Sequence, residues 1–197
     1  MGCVRYILFI AMYTVICGCG KEPWPYAANE ILAGEKEGKL LIYIDFIPDD
    51  SLVFIYPSTY LERYLDLNGD LADDAVFIMN SYISPGNQYY SFSVKALNSH
   101  CRFVVKTLTS SNADALIDGS KIAGNLAWSD SIAILSQYSM MMQQGNHASG
   151  VWNNAGDKYL GFRYATNTDT IYGWIRANIQ NNALMIIKDM AYKFPKR

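Results

Sequence analysis

Toward the end of the chain apolar and polar side chains alternate with a period of two, and this constrains the fold more than any other feature. Three runs, 158–165, 170–179 and 184–194, carry the pattern. Leu160, Phe162 and Tyr164 fall on one face of the first. Ile171, Ile175, Ala177 and Ile179 share one face of the second, with Tyr172, Trp174 and Arg176 opposite. Successive side chains of a strand point to opposite sheet faces, so this period specifies strands. The links Thr166-Asn167-Thr168-Asp169 and Gln180-Asn181-Asn182 are short turn sequences, so the three strands are expected as consecutive antiparallel neighbours.

The upstream chain repeats the theme. Residues 40–46 form a β-branched and aromatic run ended by Pro48-Asp49-Asp50, and similar runs cover 75–82, 88–97, 101–107 and 132–138. Ser84-Pro85-Gly86-Asn87, Asn98-Ser99 and Ser110-Ser111-Asn112 separate them. Residues 60–67 read as a further strand and 113–118 as one helical turn, and no segment sustains a helical period. The fold class expected for residues 39–197 is all-β, an antiparallel β-sandwich of jelly-roll-like form. Gly161 and Gly173, inside two strands, mark a bulge or room for a neighbouring ring, with Tyr159 and Trp174 at hand to cover the gaps. The 51% hydrophobic content can supply a core, which excludes global disorder. A pI of about 5.6 offers no basic face for nucleic acid.

The first residues read as an address. Arg5 precedes an apolar run from Tyr6 to Cys17, the layout of a signal peptide over residues 1–18 and too short for a comfortable membrane span. Tyr6 stands where a myristoylation signal needs Ser or Thr. The stretch Ile16-Cys17-Gly18-Cys19 resembles the bacterial lipobox: aliphatic, small, small, cysteine. The resemblance implies lipidation of Cys19, with palmitate-type acyl chains, and cleavage just before it. Gly20 after that cysteine points, by the same resemblance, to the outer membrane. Residues 19–38 then form a tether that packs partly on the domain near Trp24 and Tyr26. With Cys3 and Cys17 removed and Cys19 acylated, Cys101 is left without a disulfide partner and reads as a buried, inert thiol.

Two clusters are candidates for ligand chemistry. Asp66, Asn68, Asp70 and Asp74 occupy alternating positions that suit calcium, a hard cation that takes oxygen ligands. Leu71 and Phe77 stand where such a loop wants Gly and a bidentate Glu, so the segment reads either as a calcium loop or as a hairpin turn on Asn68-Gly69. Trp152, Tyr172 and Trp174 are candidates for stacking on sugar rings, or else fill the core. Met140-Met141-Met142 and His147 read as loop residues. No HExxH, GxSxG, Walker or dinucleotide signature occurs.

The order of Asp66-Leu67-Asn68-Gly69-Asp70, Tyr159-Leu160-Gly161-Phe162-Arg163-Tyr164, Tyr172-Gly173-Trp174-Ile175-Arg176 and Asp189-Met190-Ala191-Tyr192 resembles a domain of secreted bacterial proteins. That domain occurs in PEP-CTERM-sorted proteins and in surface lipoproteins, and the resemblance spans residues 40–194. It implies an extracellular β domain and brings no catalytic residues. The expected function is a lipid-anchored envelope or surface protein that is structural or binds a glycan or protein. The alternative is an exported glycan hydrolase using paired carboxylates such as Asp49-Asp50 and Asp73-Asp74.

Overall fold

The computed structural model describes residues 30–141, 145–165 and 169–195. The signal segment 1–18, Cys19 and the tether up to residue 29 lie outside the described residues. Among the described residues the regular structure is all strand: β1 Glu30–Leu32, β2 Leu41–Val53, β3 Ser58–Leu65, β4 Ala75–Ser84, β5 Asn87–Ala96, β6 Cys101–Val104, β7 Lys121–Ala123, β8 Trp128–Ser129, β9 Ala133–Met141, β10 Gly145–Gly150, β11 Lys158–Ala165, β12 Thr170–Gln180 and β13 Leu184–Lys193. One antiparallel sheet has the order β10-β9-β5-β4-β3. A second has the order β2-β13-β12-β11-β6-β8, and β1 and β7 make a small third sheet. The three C-terminal strands pair as consecutive neighbours, as their alternation requires.

Phe77, Met79, Phe92 and Val94 from the five-stranded sheet meet Phe103, Leu160, Phe162, Ile175 and Ile187 from the six-stranded sheet in one core, a sandwich-like arrangement. A second apolar layer lies on the other side of the six-stranded sheet. There Ile31 and Ala33, with Ile122 of β7, close over Trp174, Tyr172, Tyr159 and Trp128. An antiparallel sheet commonly keeps one face wet; here both faces of β12 are covered, and each face holds the set its alternation specified.

Several local expectations are corrected. Residues 113–118 form no helical turn; isolated bridges join Ala113 to Val105 and Leu116 to Tyr159. Pro48-Asp49-Asp50 does not end the first run. β2 continues to Val53, and its register on β13 jumps from Asp45 opposite Asp189 to Asp50 opposite Ile187, so residues 46–49 form a bulge. β2 is an edge strand, where a proline breaks no ladder on its free side. Met140 and Met141 belong to β9 and His147 to β10, as two arms of a hairpin rather than loops.

Gly173 makes room for a ring, that of Phe162 on the adjacent strand. A Cβ there would collide with that ring and lie 2.6 Å from the Ala191 carbonyl oxygen. At Gly161 the near neighbour is Val104, at 2.7 Å, instead of Tyr159 or Trp174. Gly173→Ala should therefore destabilise the domain by about 1–3 kcal/mol, the usual cost of overpacking. Urea unfolding measures this, and an unchanged midpoint would show that the Phe162 ring moves freely.

Candidate functional site

Residues 66–74 connect β3 to β4, and the acidic side chains fold this loop onto itself. Asp66 Oδ1 accepts the N–H groups of Asn68 and Gly69 at 3.1 and 2.7 Å, and its Oδ2 accepts that of Leu71 at 2.7 Å. Asn68 Oδ1 takes the Asp70 N–H at 2.8 Å, and Asp70 Oδ1 takes that of Ala72 at 2.9 Å. Short polar side chains bond to nearby backbone in this way wherever ladders are absent. Asn68-Gly69 is not a two-residue hairpin turn. Such a turn needs positive φ at both residues, and Gly69 at 80° and Leu71 at 72° carry it while Asn68 does not. Gly69 is further required because a Cβ would run into the Tyr192 hydroxyl.

Asp74 has a different role. It is 1% exposed, and its Oδ2 accepts the Leu67 N–H at 3.0 Å while its Oδ1 accepts the Asn98 Nδ2 at 2.9 Å. Leu67, anchored in this way, is fully buried in the main core. Burial pushes the Asp74 carboxyl above its ordinary range, opposed by these two hydrogen bonds. The same burial, with the Asp74 charge beside it, pushes the Cys101 thiol up to about 12, so Cys101 is the inert thiol its strand position implied.

As a calcium site, the quartet offers oxygens that already accept N–H bonds. No group of three or more His, Cys, Asp or Glu side chains converges on a metal position among the described residues. An ion would have to share the remaining lone pairs of Asp66 and Asp70. The paired carboxylates of the hydrolase alternative are likewise engaged or separated: Asp50 pairs with Arg63 and Asp74 is buried, while Asp49 and Asp73 are exposed.

The three aromatic candidates do not share a surface. Trp152 is 0% exposed in the main core, and Trp174, also 0% exposed, and Tyr172 lie in the second layer across the six-stranded sheet. Tyr159 packs edge-on against Trp174, with ring centroids 5.3 Å apart. These rings fill space, and none of the three presents a face to a ligand in this conformation.

Two arrangements went unread in the sequence. The first is ionic. Asp189, fully buried, receives Arg176 Nε and Nη2 at 2.8 and 2.7 Å, the Tyr43 hydroxyl at 2.8 Å and Lys36 Nζ at 3.1 Å. Arg176 and Asp189 are register partners, so the Tyr-Gly-Trp-Ile-Arg and Asp-Met-Ala-Tyr pieces meet side by side. The second is aromatic. Tyr60 and Tyr64, exposed on β3, both donate to Glu62, at 2.7 and 2.6 Å, and these bonds hold the Glu62 carboxyl below its ordinary range. The alternation Tyr60, Glu62, Tyr64 was the available signal.

Two measurements follow. Asn98 Oδ1 accepts the His100 and Cys101 N–H groups, so its amide cannot flip. Asp74→Asn therefore sets its N–H₂ against a donor in either orientation, the Asn98 amide or the Leu67 N–H, and should cost about 1–3 kcal/mol; unfolding free energy at neutral pH measures it, and no loss would refute the assigned acceptor role. Melting in millimolar calcium decides between the two readings of the loop. A rise abolished by Asp70→Ala identifies a cation site, and an unchanged melting temperature identifies a self-closed turn.

No protein-family model matches this chain, and no curated protein or solved structure matches it either.

Proposed function

We propose that this chain is a lipid-anchored protein of the cell envelope, held at the outer membrane, whose β domain serves structure or binding. The observation that carries the reading is the Ile16-Cys17-Gly18-Cys19 sequence behind a short apolar run. Cysteine usage agrees with it: Cys101 is buried and free, so the domain asks nothing of Cys19 as a disulfide partner. Acyl chains on Cys19 contribute about 0.8 kcal/mol per buried CH₂, and more than one chain makes the attachment firm.

The resemblance to secreted β domains of PEP-CTERM-sorted proteins and surface lipoproteins belongs to the same proposal. Three of its four shared pieces fall on β11, β12 and β13, where Arg176 meets Asp189 and Gly173 admits Phe162, so they act as framework residues. In this reading the two large sheets make a β-sandwich. The jelly-roll-like element is the passage of the chain between sheets after β2, β5, β8 and β10. The ligand is a glycan or a surface protein, and the membrane is the partner that the anchor supplies. The pI of about 5.6 argues against nucleic acid.

Cys19→Ala should leave the full-length precursor uncleaved and unlabelled by a palmitate analogue, with the protein lost from the outer-membrane fraction. Normal labelling and fractionation of that variant would overturn the assignment.

A further inference from the structure

The two large sheets treat their outer faces differently. The outer face of the six-stranded sheet is roofed by β1 and β7. No described element roofs the outer face of the five-stranded sheet, and its composition is unlike that of an ordinary solvated face. On β4, Phe77 and Met79 point into the core, so by alternation Asn80 and Tyr82 share the outward side. Register then defines two rungs across all five strands. One runs Ser58, Tyr82, Tyr89, Ser139, His147. The next runs Tyr60, Asn80, Ser91, Gln137, Ser149.

We infer that this face is a platform for an uncharged, hydroxyl-rich glycan chain; the inference rests on the binding reading above and moves it from the buried tryptophans to these rungs. Tyr82 and Tyr89 stack face to face with ring centroids 5.6 Å apart and planes inclined by 22°, so the pair stands on the sheet as an aromatic ridge that leaves the outer face of each ring for a ligand. Tyr82 is 43% exposed and Tyr60 61% exposed, so both rings reach solvent. Flat C–H faces of sugar rings are matched by such aromatic faces, and the carboxamides of Asn80 and Gln137 with the neighbouring serines offer donors and acceptors to ring hydroxyls. Neither rung carries Asp, Glu, Lys or Arg. On these rungs a charged ligand would lose hydration without a counter-charge, since Glu62 lies one rung further and Lys95 beyond it, whereas a neutral polyol matches them.

Two further features fit that occupant. Five strands about 4.8 Å apart give a rung long enough for several sugar units. Glu62 holds the Tyr60 and Tyr64 hydroxyls, so part of the side-chain ordering that binding requires is already done.

The test is native affinity electrophoresis of the detergent-solubilised full-length protein in gels containing hydroxyethylcellulose, xylan or glucomannan. Retardation in at least one gel is expected, with retention weakened tenfold or more by Tyr82→Ala and by Tyr89→Ala and largely kept by Tyr82→Phe. Melting temperatures of the variants report whether they fold. Absence of retardation of the wild type in every gel would overturn the inference. Retardation that both alanine variants retain would overturn the site and leave a binding protein of another face. A change from dimer to monomer in Tyr82→Ala, with no glycan retention in the wild type, would overturn it in favour of self-association. Membrane attachment, read separately through Cys19, is unaffected by any of these results.

Discussion

The contact between Arg176 and Asp189 is what the outer half of the molecule depends on. A carboxylate with no exposure to water is tolerated only when paired and hydrogen-bonded. Here two guanidinium N–H groups, a phenol and an ammonium converge on it. Those partners come from β12, from β2 and from the segment that follows β1, so one buried charge ties together elements distant in sequence. Breaking such a pair from one side typically costs about 3–5 kcal/mol, because the other charge is stranded. The location matters as much as the energy. Lys36 is fixed just beyond β1, and β1 with β7 closes the apolar layer over Trp174. Lys193 adds a second tie by pairing with Glu35 at 3.1 Å.

That roof explains which parts of the fold the sequence disclosed. Alternation in 158–165, 170–179 and 184–194 placed the strands and sorted their faces, because period-two patterning survives whatever covers the sheet. Alternation does not reveal that the second face is also buried. Tyr172, Trp174 and Arg176 look like one wet face of an antiparallel sheet, and only the pairing of Ile31 with Ile122 across β1 and β7 makes it dry. Each of those strands is three residues long, too short for any periodicity to register. The trio assigned to sugar stacking was therefore divided between two cores. The hairpin arms holding Met140 and His147 were missed for a related reason: Gly145–Gly150 is an edge strand of small and polar residues, and its partner supplies the pattern.

The acidic loop was legible in composition and ambiguous in role. Asp66, Asn68 and Asp70 at alternating positions serve equally to receive a cation or to receive the N–H groups of a tight loop, and in the structure they receive N–H groups. What spacing could not disclose is the separate duty of Asp74, whose partner Asn98 lies 24 residues away. A long-range pair of this kind depends on β4 and β5 lying side by side, and no local motif encodes it.

The same asymmetry gives the molecule a direction. On one side, ionic and aromatic packing gathers where β1 and the residues after it cover the six-stranded sheet. The tyrosine rungs sit across the main core on a sheet whose inner face is held by Phe77, Met79, Phe92 and Val94. Since that inner face supplies the burial, the outer rungs contribute to the fold mainly through the Glu62 hydrogen bonds, the Tyr82–Tyr89 stack and the Ser149–Gln137 hydrogen bond. Substitutions at Tyr82 or Tyr89 cost the fold little, because their rings lie on the solvent side and surface changes usually shift stability by no more than about 0.5 kcal/mol. Exposed tyrosines, amides and hydroxyls in register across five strands add little to folding, so what they do for the protein is to be sought in what they touch.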